Sequence, residues 1–131
     1  MNNHGMITVA SKFSVGETLD RLTAALTSAD LRVFARINHA SNAEAVGLNL
    51  RPTELLIFGN PKGGTPLMQV KQTAGIDLPV KALAWEDEEG RVWLTYNEAA
   101  WLATRHELGA KSSNAIKAIE AGLAALASSI T

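Results

Sequence analysis

Six polar side chains stand where strand ends and loops could gather them: His39, Asn60, Lys62, Asn97, Arg105 and His106. Gathered at one end of a sheet, they would suit a small anionic or polar ligand. Lys62 and Arg105 would bind its charge, Asn60 and Asn97 would orient it, and a histidine would move a proton near neutral pH. The richest segment is residues 54–68, Glu-Leu-Leu-Ile-Phe-Gly-Asn-Pro-Lys-Gly-Gly-Thr-Pro-Leu-Met, an apolar strand breaking into a loop with three glycines, two prolines and one lysine. Proline cannot donate to a strand ladder and glycine tolerates positive φ, so the strand is expected to stop at Gly59-Asn60-Pro61. The loop then presents backbone amides beside Lys62, a concavity that favours negative charge, the more so where a helix starts just after it.

Each of these residues also has a plainer reading. A histidine closing an apolar strand face, as His39 is expected to do, is more often a hydrogen-bonded core residue than a catalyst. Arg105 and His106 in the last turn of a helix satisfy carbonyls and offset its dipole. Sharper motifs fail. The glycine segment lacks the spaced Gly-Lys-Ser/Thr ending of a nucleotide P-loop, and Pro61 removes an amide from the cradle. His106-Glu107 begins like a zinc-protease helix, but Ala110 stands where the second histidine belongs. No Gly-x-Ser-x-Gly elbow exposes a serine nucleophile, and Glu88 with Glu89 reads as a solvated turn rather than an acid/base couple.

Composition narrows the classes further. At 131 residues, 47% hydrophobic and 19% charged, the chain fits one α+β domain large enough for its own core. Twelve basic and thirteen acidic residues leave a formal charge of −1, which provides no field to gather phosphate backbones, so nucleic acid is not an expected partner. Cysteine is absent, which removes thiolate nucleophiles, disulfides and the usual structural zinc sites. No apolar run approaches the roughly 18 residues that cross a bilayer. The first six residues lack a basic leader and an apolar core, so a soluble, cytoplasmic protein without a membrane partner is expected.

The elements that must position the candidate residues follow from periodicity. Ile7, Val9 and Phe13 suggest a first strand that Ser11 interrupts, and Ser14 with Glu17 has capping-box spacing before a helix carrying Val15, Leu19, Leu22 and Leu26. Leu31, Val33, Ala35 and Ile37 alternate as one face of a strand running into His39, with Phe34 breaking its polar face. Ser41 and Glu44 repeat the capping-box spacing for a short helix that Gly47 can stop. The apolar run Leu55 to Phe58 should be a central strand. Residues 80–86 and 91–96 form a hairpin about the acidic turn ending in Gly90, with Trp85 and Trp93 as cross-strand neighbours. Asn97 can cap a helix bearing Trp101 and Leu102. After Gly109 a last helix aligns Ile116, Ile119, Leu123, Leu126 and Ile130, and its many alanines permit close approach of the sheet or of a second subunit. The fold class is therefore α+β, a mainly antiparallel sheet with helices on one face.

Several segments in combination resemble the domain of unknown function 302 family: His39-Ala40, residues 54–61 ending in Gly-Asn-Pro, Leu83-Ala84-Trp85-Glu86-Asp87, Tyr96-Asn97 and Leu102-Ala103-Thr104-Arg105-His106. The resemblance spans about residues 6–130. It implies a compact α+β fold similar to the TATA-binding-protein-like class, often dimeric, and carries no settled reaction. Glu98-Ala99 stands where many members read Asp-Pro. A noncatalytic small-molecule or anion-binding, regulatory domain, assembled as a homodimer, is the favoured reading, and the residues name no cofactor. An enzyme would instead show a histidine held by a second polar group beside a closed cleft. A structural dimerisation domain would use the small-residue face of the last helix.

Overall fold

Ser14 lies in extended backbone and its hydroxyl accepts the Glu17 amide at 3.1 Å, so helix α1 (Val15–Ser28) starts where the Ser-x-x-Glu spacing places it. Glu17 does not reach back to complete the box; its carboxylate pairs with Arg21 at 3.2 Å. Val15, Leu19, Leu22 and Leu26 then fall on one stripe and are all buried, each contributing roughly 1.5–3 kcal/mol. Ser11, the interruption in the first strand, points inward and meets the fully buried Thr18 hydroxyl at 2.6 Å, so its polarity is satisfied inside the core.

This computed structural model describes residues 3–131; Met1 and Asn2, part of the segment read for a leader, lie outside them. Strands β1 (Met6–Ser11), β2 (Arg32–Asn38), β3 (Thr53–Gly59), β4 (Val80–Glu86) and β5 (Val92–Asn97) form one sheet in the order β1-β5-β4-β3-β2. Every neighbouring pair is antiparallel. Helices α2 (His39–Ala45), α3 (Pro61–Val70), α4 (Ala99–Arg105) and α5 (Ser113–Ser128) complete the α+β architecture, with short 3-10 turns at Gln72–Ile76 and Ala110–Ser112. The core lies between one sheet face and the pair α1 and α5, where Leu56, Phe58, Leu94 and Tyr96 meet Leu22, Leu26, Leu123, Ala127 and Ile130.

Local chemistry corrects several expectations. The apolar β3 is interior, paired on both sides, but β4 occupies the centre of the sheet. In β2 the register shifts between Val33 and Ala35, so the expected single face is split. Val33 pairs with buried Phe58, whereas Ala35 and Ile37 pair with Ile57 and Leu55, which point to the other side. His39 is not the end of that strand. Asn38 takes the N-cap position, its Oδ1 accepting the Ser41 amide at 3.0 Å, and His39 opens α2 three residues before the expected start. Asn97 likewise closes β5 opposite Met6 instead of capping a helix; Glu98 precedes α4 and makes no side-chain capping bond.

The hairpin forms as expected, with Trp85 directly opposite Trp93 and their rings 6.4 Å apart. Asp87 organises the turn: its Oδ1 accepts the Glu89 and Arg91 amides and its Oδ2 accepts the Trp93 indole N–H, all at 2.9 Å. The Trp93 bond is the main reason that this carboxyl titrates below its usual 3.8; lost hydration opposes it and the two amides add to it. Because the folded value is depressed, the turn's contribution is complete above 3.8 and disappears as pH falls through the folded value. Thermal melting followed by tryptophan fluorescence between about pH 5 and about pH 2 should show wild type losing melting temperature faster than Asp87→Asn. Parallel curves for the two proteins would contradict this role.

Candidate functional site

Asn60 and Pro61 are a helix start rather than the loop expected from the glycines and prolines. Asn60 sits in extended backbone, its Oδ1 accepts the Lys62 amide at 2.9 Å, and Pro61 opens α3 with its φ already set for a helix. The Gly63 and Gly64 amides donate to the Asn60 carbonyl at 2.8 and 3.1 Å. Pro61 has no N–H, so the first-turn amides that could have cradled an anion are absent or already bonded. What remains is the Lys62 side chain, which is exposed and makes no ion pair among the described residues.

A groove of about 570 Å³ separates this helix from α5. The α5 wall is made by Ala115, Ala118 and Gly122 with Ile119, Leu123 and Leu126, an arrangement at i, i+3 and i+7 that keeps the helix surface low. Leu31, Phe58, Val80, Leu78, Pro79 and Met68 add further apolar lining. The small residues leave real space: a Cβ built on Gly122 or on Gly63 would meet nothing within 4 Å. Among the described residues Lys62 is the one charged side chain lining the groove, and Asn60 and Thr65 are the polar ones.

Arg105 and His106 come together elsewhere, around Asp77. Arg105 Nη1 donates to both Asp77 carboxylate oxygens at 3.1 Å, and the buried His106 places Nε2 2.5 Å from Oδ2. This clamp ties the end of α4 to the segment leading into β4. The Arg105 guanidinium also lies 5.6 Å over the Trp101 ring, which covers Gly5 so closely that a Cβ there would fall 2.3 Å from the indole. Neither Arg105 nor His106 lines the groove.

The six sequence candidates thus fall into separate places. Asn60 and Lys62 share the groove mouth, and Arg105 and His106 share Asp77. Asn97 follows the inward-facing Tyr96 and therefore points to the opposite sheet face. His39 stands beside Asn38, paired with Glu54 at the start of β3, whereas Asn60 follows the end of that strand, about 20 Å away. A second, polar cavity of about 410 Å³ lies at the His39 end, lined in part by Ser14, Ser41, Glu44, Glu54 and Glu86, without His39 itself. Two of its lining residues, Glu54 at 3.0 Å and Gly16 through its carbonyl at 3.1 Å, accept from Arg36, which Asp20 also holds at 2.6 Å. Among the described residues no cluster of three or more histidine or acidic side chains is placed to hold a metal ion.

Sequence reasoning missed Asp77 because its partners lie 28 and 29 residues away and no spacing rule links them. The groove walls were visible only as a stripe of apolar and small residues in α5, which reads equally as core or as subunit contact.

Residues 7–126 match the family described as "Domain of unknown function DUF302". The chain belongs to this family. Among solved structures, the DUF302 domain superposes on "uncharacterized conserved protein DUF302" from Bacillus stearothermophilus with a TM-score of 0.84, covering 97% of this chain and 98% of that one at 19% identity. The likeness establishes a shared fold. Among curated proteins, 118 residues are 55% identical to "Fluoride-specific ion channel FluC 1" of Brucella suis biovar 1, covering 90% of this chain and 46% of that protein. "Fluoride-specific ion channel FluC 2" of Brucella melitensis biotype 1 matches at the same identity over 44% of its length. The chain spans less than half of these relatives. Among the described residues no helix is long and apolar enough to cross a membrane.

Asp77→Ala would leave the buried His106 and the Arg105 guanidinium without their shared acceptor. The expected cost is about 1–3 kcal/mol, read as a lower urea midpoint with an unchanged slope. An unchanged midpoint would remove Asp77 from the scaffold of the α4 end.

Proposed function

We propose that this DUF302 domain is a noncatalytic, regulatory binding domain that takes a small amphipathic anion into the groove between α3 and α5 and works as a pair of identical copies in the cytoplasm. The observation that carries this reading is the lining: largely apolar walls around a volume within the roughly 300–1,000 Å³ of ligand pockets, with Lys62 the single charge at the mouth among the described residues. An apolar body gains by leaving water, and the ammonium fixes which end faces out. Asn60 still has its carboxamide N–H groups to offer, and Thr65 a hydroxyl.

The enzyme alternative has one of its two requirements, a histidine held by a carboxylate, but His106 and Asp77 line neither cavity. In the Brucella relatives the same segment belongs to a longer protein named as a fluoride-specific ion channel. In such a chain the pore would belong to the remainder, and this domain would sense a ligand beside it.

Thermal shift with decanoate, decanol and inorganic phosphate separates the contributions. Decanoate at about 100 times its dissociation constant should add about 2.7 kcal/mol, a rise of several degrees, with decanol weaker and phosphate without effect. Lys62→Ala should erase the preference for decanoate over decanol, and Gly122→Leu, which fills the groove while improving helix propensity, should abolish both shifts. Full decanoate stabilisation of Gly122→Leu would refute the groove as the site.

A further inference from the structure

Strand β2 carries one residue more than the stretch of β3 it pairs with. Val33 lies opposite Phe58 and Ala35 opposite Ile57, so Phe34 is the extra residue of a bulge and has no partner in that ladder. Bulges re-aim side chains. Here Phe34 stays 44% exposed and joins the lining of the groove between α3 and α5. Arg32 stands just outside the lining, its guanidinium 5.6 Å over the Phe34 ring and within the reach of a cation–π contact. Its strand partner is Gly59, three residues before Lys62, so both cations stand at the same end of the β2–β3 pair. Among the described residues neither makes an ion pair and no carboxylate lines the groove. Asp30, two residues before Arg32, is exposed and likewise makes no ion pair among them.

We propose that Arg32 is the second cation of this site and that the head group it takes together with Lys62 is a phosphate monoester, which makes the ligand a phosphate carried on a hydrocarbon chain. The inference rests on the groove reading above and names the class of its ligand. A carboxylate offers two oxygens in one plane and a single charge, and one ammonium can meet it. A phosphate monoester offers three oxygens and nearly two charges at neutral pH, so it gains from a second donor approaching from another direction. Arginine suits that place, since its planar fork meets two phosphate oxygens at once while lysine acts as a point charge. Stacking on Phe34 uses the face of the guanidinium and leaves its N–H groups to donate; the Arg32 side chain makes no hydrogen bond among the described residues. The chain of the ligand would lie against Ala118 and Gly122, where the α5 wall is lowest. Phe34 thus serves both ends, extending the apolar wall to the rim and aiming the cation that stands there.

Calorimetric titration of the whole chain with decyl phosphate, decanoate, glycerol 3-phosphate and inorganic phosphate, each below any micelle-forming concentration, tests this. Wild type should bind decyl phosphate about 10-fold more tightly than decanoate, and the two chainless phosphates not measurably. Arg32→Gln changes an exposed side chain and should leave the melting temperature of the free protein in place. It should bring decyl phosphate to within about twofold of decanoate while decanoate affinity stays as it was. Arg32→Lys should recover only part of the preference, because the charge returns without the fork. Equal affinities for the two amphiphiles in wild type, both abolished by Gly122→Leu, would overturn the phosphate head and leave the groove reading standing. Glycerol 3-phosphate or inorganic phosphate binding as tightly as decyl phosphate would show a rim that takes the head without a chain, which also overturns it. Absence of binding by either amphiphile would end the groove reading itself.

Discussion

Leu22 and Leu26 of α1, with Leu123, Ala127 and Ile130 at the C-terminal end, pack on a single face of the sheet against Leu56, Phe58, Leu94 and Tyr96. This one-sided burial fixes what the rest of the molecule can present. Two long helices cover one face of a five-stranded sheet, and the peripheral elements α3 and α4 are held against them by a smaller cluster around Leu67, Ala99, Leu108 and Ile116. The polar groups that sequence alone brings to notice are distributed around this frame according to which strand end they follow. Lys62 and His39 part company because β3 lies between them.

The composition of α5 has a structural consequence. Alanine and glycine on the side facing α3 let the helix close on the sheet through Leu123 and Ala127 while leaving a trough beside them. Larger residues there would extend the core and erase the groove. Burial forgone along the trough is affordable because α1 alone supplies three fully buried leucines, at 0, 1 and 0% exposure. The Asp77 clamp serves a related purpose. By holding Arg105 and His106 it fixes the end of α4, which packs against α5, so the groove wall is braced from behind.

Where side-chain chemistry acts within a few residues, the sequence was legible: Ser14 caps α1, the Asp87 turn forms with its tryptophan pair, and Ile116 and Leu123 of the α5 stripe are buried, whereas Ile119 and Leu126 line the groove and Ile130 lies beyond the helix. The overall α+β arrangement followed from these periodicities together with the family resemblance. Misreadings share a cause, competition between two local rules. Three glycines and two prolines in residues 54–68 argued for a loop, but Asn60 at an N-cap followed by Pro61 is also the preferred opening of a helix, and that chemistry prevailed. At Val33 to Ile37 strict alternation assumed an unbroken register, which one irregularity at Phe34 overturned. The Asp77 clamp and the gap between α3 and α5 arise from tertiary placement and leave no signature in spacing.

Amide chemical-shift mapping with decanoate addresses the groove most directly, since it reports position residue by residue. Titration should move the Lys62, Gly63, Gly64 and Gly122 amides on one saturating curve and leave those of Arg105, His106 and His39 in place. Shifts centred on His106 and Asp77, or none at all at saturating concentrations, would contradict the assignment of the α3–α5 groove as the binding site.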